Sequence, residues 1–293
     1  MTDRIDKSMH EEAWSRGRDL QFSLGSIPVI RTAMHFPTID STNALARELA
    51  RQGEPGGLLI LADTQTAGRG RLGRSFVSPS GGLWFTLLIR PQPGRSVAPA
   101  TTLIAGTAVC EALRESGIDK AAIKWPNDIL IGTRKAAGIL AESGFDKNQQ
   151  PYLVLGIGIN LAVETFPPEL SETATSVSQP GGPKVERIEL LRRIIAHFAD
   201  LSRKLDEEGF KAIRPRYLAC SSTVGRDVLL VDPSQVAATS GISKMVNDSQ
   251  PVFHCIDIAE DGSLVLTDAA GKIFKQNSGE ISLRYPDPER KCT

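Results

Sequence analysis

Three apolar runs of strand length constrain the fold of this chain more than any other feature of its sequence. They are LLILADTQ at 58–65, GLWFTLLIRP at 82–91 and YLVLGIGINLAV at 152–163. Short continuous apolar segments that are bounded by polar residues are typical of buried strands. The sequence therefore predicts that these three strands lie inside the molecule.

Helical periodicity marks three further segments. Polar residues at 40–42 can cap the first helix, which ends at Gly53. The second helix is predicted at 99–117, and the third, which is the most clearly amphipathic, at 185–210. The chain thus alternates buried strands with helices that can cover them.

After Thr223 the sequence changes to short β-rich runs that are separated by turn residues. Runs of this length and spacing predict a small all-β barrel of about 65 residues. The polar segment at 234–251 reads as an insertion into this barrel.

The 293 residues carry equal numbers of basic and acidic side chains, 34 of each. This balance argues against a broad basic face for non-specific binding to nucleic acids or membranes. No stretch reaches the roughly 20 apolar residues that span a bilayer, and the first residues lack the apolar core of a secretory signal. The four cysteines and four histidines are scattered without a metal-binding spacing. We therefore expect a cytoplasmic protein with reduced thiols.

Residues 68–74, with the sequence GRGRLGR, form the densest motif. Glycines allow the backbone to approach a ligand closely, and arginine guanidinium groups match carboxylates and phosphates. The segment is neither a P-loop nor a dinucleotide fingerprint, because it lacks GK[ST] and its glycine spacing differs. On this motif alone two alternatives stay open: a solvated basic turn, or RNA binding with Phe76 and Trp84 as the nearby aromatic residues.

The second motif is KWPND at 124–128, which is followed seven residues later by Lys135. A turn at 132–133 would place Asp128 and Lys135 across a hairpin from each other. A lysine in such a position can neutralise a substrate carboxylate or a developing phosphate charge. The alternative is a structural ion pair on the hairpin.

A third motif, GIGIN at 156–160, places two glycines in a buried strand and ends at Asn160, which offers a donor and an acceptor. In this order the three motifs resemble those of the biotin protein ligases, and the resemblance covers roughly residues 35–285. It also includes Ser41, Thr42 and Asn43, the sequence QTAGRGR at 65–71, Gly138, and SGEISLR at 278–284.

The resemblance implies an α+β fold, in which helices flank a mixed β-sheet similar to the class II synthetase and biotin–lipoyl ligase core. It implies an N-terminal extension at 1–34, a biotin- and ATP-binding catalytic domain at 35–222 and a C-terminal SH3-like β-barrel at 223–288. Residues 1–34 show no two-helix turn pattern, so we expect a monofunctional ligase without sequence-specific DNA binding.

The implied reaction has two steps. Biotin and MgATP first give biotinyl-5′-AMP and pyrophosphate, and the biotinyl group then passes to one lysine of a biotin carboxyl carrier protein. That partner would belong to acetyl-CoA carboxylase or a related carboxylase. Mg²⁺ would be held mainly by the ATP phosphates rather than by protein ligands. A homodimer is left open, and neither DNA nor a membrane is an expected partner.

The resemblance also assigns roles by position. The expected catalytic residues are Arg69, Arg71, Asp128 and Lys135. The expected biotin-binding residues are Ser41, Thr42, Asn43, Gln65, Arg69, Gly70, Arg71, Lys135 and Gly138. The expected nucleotide-binding residues are Arg71, Arg74, Phe76, Lys124 and Asn160. Asp128 would meet the acceptor lysine, either as a base or as an orienting group.

One position departs from the family pattern. Phe76 stands where the family commonly has tryptophan, so we expect a smaller lid over the ligand and weaker ordering of the loop, without loss of chemistry. Two other functions are weighed: a lipoate–protein ligase, which shares the implied fold, and a catalytically silent module that senses biotin or binds the carrier. The pairing of GRGR with KWPND, and the retained charged residues, favour the biotin ligase.

Overall fold

The computed structural model describes residues 7–91, 98–179, 181–231, 251–277 and 282–284. The helices are α1 (Lys7–Leu24), α2 (Thr42–Gln52), α3 (Ala98–Glu115), α4 (Arg187–Glu208) and α5 (Phe210–Cys220). The strands of the first sheet are β1 (Thr32–Ile39), β2 (Leu58–Gln65), β3 (Leu83–Ile89), β4 (Ala121–Lys124), β5 (Asp128–Ile131), β6 (Arg134–Phe145) and β7 (Pro151–Ile159). Those of the second are β8 (Asp227–Val231), β9 (Val252–Ile258), β10 (Leu264–Thr267), β11 (Ile273–Gln276) and β12 (Ser282–Arg284).

The larger sheet is mixed and has seven strands in the order β1-β2-β3-β7-β6-β5-β4. Strands β1 and β2 are parallel, and the other neighbours are antiparallel. The smaller sheet is antiparallel, in the order β11-β10-β9-β8-β12, and fits an SH3-like domain. The predicted α+β class is thereby confirmed. The predicted insertion at 234–251, except its last residue, and residues 278–281 of the closing motif lie outside the described residues.

Side chains alternate between the two faces of the larger sheet, as the period of a strand requires. In β2, Leu59 and Leu61 pack in the larger core, which includes α3, α4 and α5. Leu58 and Ile60 pack in a smaller core, which includes α2. The three predicted buried strands are confirmed as β2, β3 and β7, and the cavity described below opens on the α2 face.

The N-terminal helix α1 lies along the outer edge of β1. The Arg16 side chain donates to the backbone oxygen of His35 at 3.2 Å, and Gln21 donates to that of Arg31 at 3.0 Å. These bonds satisfy carbonyl groups that an edge strand would otherwise leave unpaired. Strand β1 begins at Thr32, ahead of the boundary predicted at 35, and the division into three domains stays a prediction.

The predicted helix at 185–210 is present as α4, but a further helix, α5, follows it at once. Gly209 adopts φ 77, outside the α-helical region, and separates the two helices. The predicted helix at 185–210 therefore runs past the end of α4 at Glu208, and α5 was not predicted.

The two sheets meet at Trp125, in the turn between β4 and β5. Its indole N–H donates to the backbone oxygen of Gly262, in the β9–β10 turn, at 2.9 Å. Its backbone N–H donates to the Thr223 hydroxyl at 3.0 Å. The ring is 2 % exposed, so these bonds are buried and fix the smaller sheet beside the hairpin that carries the second motif.

Candidate active site

A cavity of about 60 Å³ opens on the α2 face of the larger sheet. Its lining comes from the start of α2, the end of β2, the glycine–arginine loop, the β4–β5 turn and strands β3, β6 and β7. All nine residues expected to bind biotin line it: Ser41, Thr42, Asn43, Gln65, Arg69, Gly70, Arg71, Lys135 and Gly138. The fold thus gathers residues from distant parts of the sequence at one place, while their roles toward a ligand stay a prediction.

Alternation along β7 explains the glycines of the third motif. Ile157 and Ile159 pack in the larger core, so Gly156 and Gly158 face α2 and the loop. A Cβ atom at Gly156 would lie 2.0 Å from the Asn43 side-chain oxygen, which no real contact allows. The motif therefore supplies core packing on one face and a floor without side chains on the other.

One end of the cavity is rich in hydrogen-bonding groups. Ser41 caps α2, since its Oγ accepts from the backbone N–H of Ala44 at 3.4 Å. The backbone N–H and the hydroxyl of Thr42 both approach Gln65 Oε1, at 2.9 and 3.0 Å. Hydroxyls and amides at this end can complement a ligand that has both N–H and C=O groups.

The glycine–arginine loop folds back on itself above the cavity. The backbone N–H of Gly70 donates to the oxygen of Arg74 at 2.7 Å, and that of Phe76 donates to the oxygen of Gly68 at 2.9 Å. Gly73 adopts φ 74, in the left-handed region that glycine occupies without strain. The loop is therefore an ordered turn that presents Arg69 and Arg71 to the cavity.

Arg71 makes the other end of the cavity cationic. Its Nη1 donates to Asn127 Oδ1 at 3.0 Å, which fixes the guanidinium group. Burial lowers the pKa of Arg71; the nearby charge of Asp128 opposes this effect and that of Arg74 adds to it. Because a guanidinium group stays charged at any ordinary pH, its partial burial favours the binding of an anion here.

The predicted pairing across the β5–β6 hairpin is confirmed. Lys135 Nζ lies 2.6 Å from Asp128 Oδ1, although the register pairs Asp128 with Gly138. Lys135 is the register partner of Leu130, which lies on the same face of β5 as Asp128, so the two charged side chains meet. Lys135 adds its charge to those of Arg69 and Arg71 in the lining, and Asp128 stands directly behind it.

Phe76 forms a wall of the cavity. Its ring packs so closely on β6 and β7 that a Cβ atom at Gly158 would lie 2.8 Å from it, and one at Gly138 would lie 3.0 Å from it. The ring meets Trp84 edge to face with centroids 5.9 Å apart, and Lys135 Nζ lies 5.6 Å from its centroid. The lid expected at this position is thus an apolar surface that touches the glycine floor.

Two expected residues stand just outside the cavity lining. Asp128 reaches it through Lys135, as described above. Arg74 lines a neighbouring cleft of about 490 Å³, which the glycine–arginine loop forms with Leu140 and Glu142. This cleft adjoins the cationic end, so Arg74 lies where an extended anion could continue.

Asn160 and Lys124 lie farther from the lining. The Asn160 Nδ2 donates to the backbone oxygens of Thr175 at 3.2 Å and Lys135 at 3.5 Å, which leaves its Oδ1 as the group that can accept from a ligand. Lys124 is the register partner of Asp128 at the β4–β5 turn. Their predicted nucleotide contacts stay predictions.

Sequence reasoning assigned no role to several residues that line the cavity. They are Phe85, Asn127, Ile139, Leu140, Gly156, Ile157 and Gly158. Asn127 and the glycines belong to the KWPND and GIGIN motifs, so the sequence contained a pattern that could have indicated them. Phe85, Ile139 and Leu140 belong to apolar runs that look the same as ordinary core strands.

The carboxylates near the cavity are already paired. Asp128 meets Lys135, and Glu142 meets Arg47 at 3.0 Å. Across the described ranges, no group of three or more His, Cys, Asp or Glu residues could hold a metal ion. These side chains do not form a Mg²⁺ site by themselves, and no step is derived through the metal. Within the same ranges, no helix is both long and apolar enough to cross a membrane.

The fold is that of the biotin and lipoate ligase class. A model described as the Biotin/lipoate A/B protein ligase family matches residues 35–160. The biotin–[acetyl-CoA-carboxylase] ligase of Paracoccus denitrificans is 36% identical over 238 residues, which cover 80% of this chain and 93% of that protein. The chain belongs to the biotin protein ligase family.

Two further relatives extend this comparison. The structure of the biotin protein ligase from Aquifex aeolicus in complex with biotin and ATP matches with a TM-score of 0.71 and 28% identity, over 88% of this chain and 100% of that one. The bifunctional ligase/repressor BirA of Bacillus subtilis is 36% identical over 199 residues, or 67% of this chain. The match spans 61% of the length of that relative and of its Bacillus spizizenii counterpart.

Proposed function

We propose that this chain joins biotin to ATP as biotinyl-5′-AMP and then transfers the biotinyl group to one lysine of a biotin carboxyl carrier protein. The observation that carries the proposal is one cavity with two unlike ends. One end holds hydroxyl and amide groups around Thr42 and Gln65, and the other holds the cations of Arg71 and Lys135. A ligand with a polar ring at one end and a carboxylate at the other matches this arrangement.

In the first step a carboxylate must approach the α-phosphate of ATP, and two anions repel each other. Arg69, Arg71 and Lys135 line the cavity and supply the positive charges that screen this repulsion and align the reacting groups. The loss of one preorganised group of this kind typically costs about 10²–10³ in rate. Asn127 holds the guanidinium group of Arg71, and Asp128 holds the ammonium group of Lys135.

Ser41, Thr42, Asn43 and Gln65 bind the ureido ring of biotin in this proposal. Gly70 and Gly138 have no side chains, so the backbone at these positions can lie close to the ligand. The apolar part of biotin lies on the glycine floor, with the Phe76 ring as the neighbouring wall.

ATP extends from the cationic end into the cleft beside it. Arg74 faces the phosphates there, and Phe76, Lys124 and Asn160 are the remaining proposed nucleotide contacts. The ATP phosphates hold Mg²⁺, since the paired carboxylates near the cavity offer it no free ligand set. The ion supplies additional charge neutralisation when it is bound.

In the second step the acceptor is a lysine amine, which carries a proton at neutral pH because its ordinary pKa is near 10.4. Asp128 is the carboxylate closest to Lys135 in the site, with Oδ1 2.6 Å from Nζ. It meets the incoming lysine as an orienting group or as the base that accepts the proton.

The proposed partner is the biotin carboxyl carrier protein of acetyl-CoA carboxylase or a related carboxylase, and the proposed location is the cytoplasm. We propose no DNA or membrane partner. A gel shift on biotin-gene upstream DNA tests the first point, and light scattering distinguishes a monomer from a homodimer.

The test is pyrophosphate release from biotin and MgATP, followed by incorporation of labelled biotin into a carrier domain. Arg71→Ala and Lys135→Ala should each reduce the release rate by about 10²–10³. The control is Arg192→Ala, an exposed arginine on α4 that pairs with Glu189, and it should leave the rate unchanged. Wild-type protein that releases pyrophosphate with lipoate but not with biotin would overturn the proposal.

A further inference from the structure

A network of polar side chains lies behind the hydrogen-bonding end of the cavity. It runs from Glu142 through Asn43, Thr86, Thr42 and Gln65 to Ser78. Thr86 stands at its middle, on β3, and is 0 % exposed. Neither Thr86 nor Glu142 has a role in the proposed function, yet a buried hydroxyl in the centre of a sheet is costly unless it is hydrogen-bonded.

The Glu142 end fixes the direction of the first hydrogen bonds. Glu142 Oε1 accepts from Arg47, and Oε2 lies 2.9 Å from Asn43 Nδ2. A carboxylate in an ion pair only accepts, so the Asn43 amide must turn its NH₂ group toward Glu142 and its oxygen toward Thr86. That oxygen lies 2.6 Å from Thr86 Oγ1 and cannot donate. The single hydroxyl proton of Thr86 therefore goes to Asn43.

This assignment determines where the hydroxyl proton of Thr42 points. Thr86 Oγ1 lies 2.8 Å from Thr42 Oγ1, and Thr86 has no second proton to give. The Thr42 hydroxyl therefore donates to Thr86, because this contact would otherwise join two oxygens without a proton. Thr42 is then left with lone pairs only.

At the other end of the network, Ser78 fixes the orientation of the Gln65 side-chain amide. Ser78 Oγ donates to the backbone oxygen of Phe76 at 3.0 Å, so it accepts from Gln65 Nε2 at 2.9 Å. The Gln65 oxygen then faces Thr42, whose backbone N–H donates to it at 2.9 Å. The orientation of both amides thus follows from terminal groups that can only accept.

The cavity consequently has a fixed order of donors and acceptors. Toward a ligand, Thr42 can only accept. Among the described residues, the second Nε2 proton of Gln65 and the hydroxyl proton of Ser41 have no acceptor, so these two groups can donate. A ligand that fits must place an N–H beside a C=O, as a cyclic urea does.

We propose that Thr86 and Glu142 are positioning residues that set this order, and that they thereby select a cyclic urea over rings that lack an N–H donor or a carbonyl acceptor. The inference rests on the proposed function, because it concerns the same cavity. The dithiolane ring of lipoate offers neither group. A guanidine-type ring is protonated at neutral pH, so it offers N–H donors and no acceptor for Gln65 and Ser41.

Titration calorimetry with biotin and with 2-iminobiotin, in which C=NH replaces the ureido C=O, tests the proposal. Thr86→Val keeps the shape and removes the hydroxyl, and it should raise the Kd for biotin about 10- to 100-fold while the KM for ATP stays unchanged. Thr86→Ser restores the hydroxyl and should bind biotin within about threefold of wild type. The matched control is Thr107→Val, a buried threonine on α3 whose hydroxyl donates to Leu103, and its Kd should not change.

Glu142→Gln tests the direction of the network. Arg47 would hold the new amide oxygen, so the NH₂ group would face Asn43 and force its amide to turn over. Thr86 would then accept from Asn43 and donate to Thr42. The Thr42 proton is thereby released toward Gln65 Oε1 or a ligand acceptor, so Thr42 no longer only accepts. We expect the preference for biotin over 2-iminobiotin to fall about tenfold, without a change in the urea midpoint larger than that of Thr107→Val.

The outcomes separate this inference from the proposed function. If wild-type protein binds no biotin, the proposed function itself is wrong. If wild-type protein binds biotin, two results would overturn the inference alone. One is an unchanged affinity for biotin in Thr86→Val, and the other is an unchanged preference for biotin over 2-iminobiotin in Glu142→Gln. If Thr86→Val does not fold, the preference measured with Glu142→Gln decides by itself.

Discussion

Asp128→Asn should separate the two proposed half-reactions. The substitution keeps the size of the side chain and removes a negative charge whose Oδ1 lies 2.6 Å from Lys135 Nζ. In the first step two anions meet, so the loss of a third anion cannot increase their repulsion. In the second step a lysine ammonium approaches, and the same carboxylate attracts it or accepts its proton. The change should therefore spare adenylate formation and impair transfer.

The magnitude follows from the charges involved. A unit charge about 6 Å from the acceptor ammonium contributes about 3 kcal/mol at an effective dielectric constant of about 20. This energy corresponds to a factor of about 100 in rate. A positioned base contributes about 10²–10⁴ to a proton transfer. We expect pyrophosphate release to stay within about threefold of wild type or to rise, and transfer at pH 7 to fall about 100-fold.

Single-turnover experiments measure the two rates separately. Pyrophosphate release is followed without acceptor, and transfer is followed after preformed biotinyl-5′-AMP is mixed with a carrier domain. Asp119→Asn is the matched control, because Asp119 is an exposed aspartate outside the cavity lining. Equal losses in both steps would refute the reasoning. If Asp128 acts as the base, the deficit in transfer should narrow toward pH 9, where more of the acceptor amine is already neutral.

Three further predictions concern other parts of the molecule. Phe76→Trp should leave turnover within about threefold and slow the release of biotinyl-5′-AMP, because a larger ring covers more of the ligand; a large loss of turnover would contradict this. Trp125→Phe should lower the free energy of unfolding by about 1–3 kcal/mol in urea titrations, since the buried oxygen of Gly262 loses its donor. Burial raises the pKa of Asp63, but hydrogen bonds from His35 and Arg187 outweigh this and lower it below its usual 3.8. Asp63 therefore stabilises the fold above pH 3.8, and the lower urea midpoint expected for Asp63→Asn at pH 7 should approach that of wild type as the pH falls below 3.8.

Much of the binding site could be predicted because short sequence motifs carry its backbone requirements. The GIGIN motif at 156–160 encodes its own geometry: isoleucines on the core face and glycines on the cavity face follow from the period of a strand. The loop at 68–74 is similar, since its glycines permit the fold that presents the arginines. All nine predicted biotin residues line one cavity for this reason.

The supporting groups could not be predicted, because their partners are far away in sequence. Thr86 and Glu142 look like ordinary strand residues until the sheet places both beside Asn43. The register shift between Ile129 and Leu130 has no sequence signal of its own, although the ion pair across the same hairpin was expected. Helix α5 could not be predicted because it holds Pro215 in its interior, where proline is unfavourable.

The KWPND motif shows why a motif assigns a function more readily than it assigns a role to each residue. Trp125 does not line the cavity; it donates a hydrogen bond to the β9–β10 turn of the smaller sheet. Asn127 anchors Arg71, and Asp128 pairs with Lys135. One five-residue turn thus connects the smaller sheet, the loop and the hairpin. Any displacement of the smaller sheet that moves this turn must also move the anchor of Arg71, so the position of the cationic end depends on the docking of the second sheet.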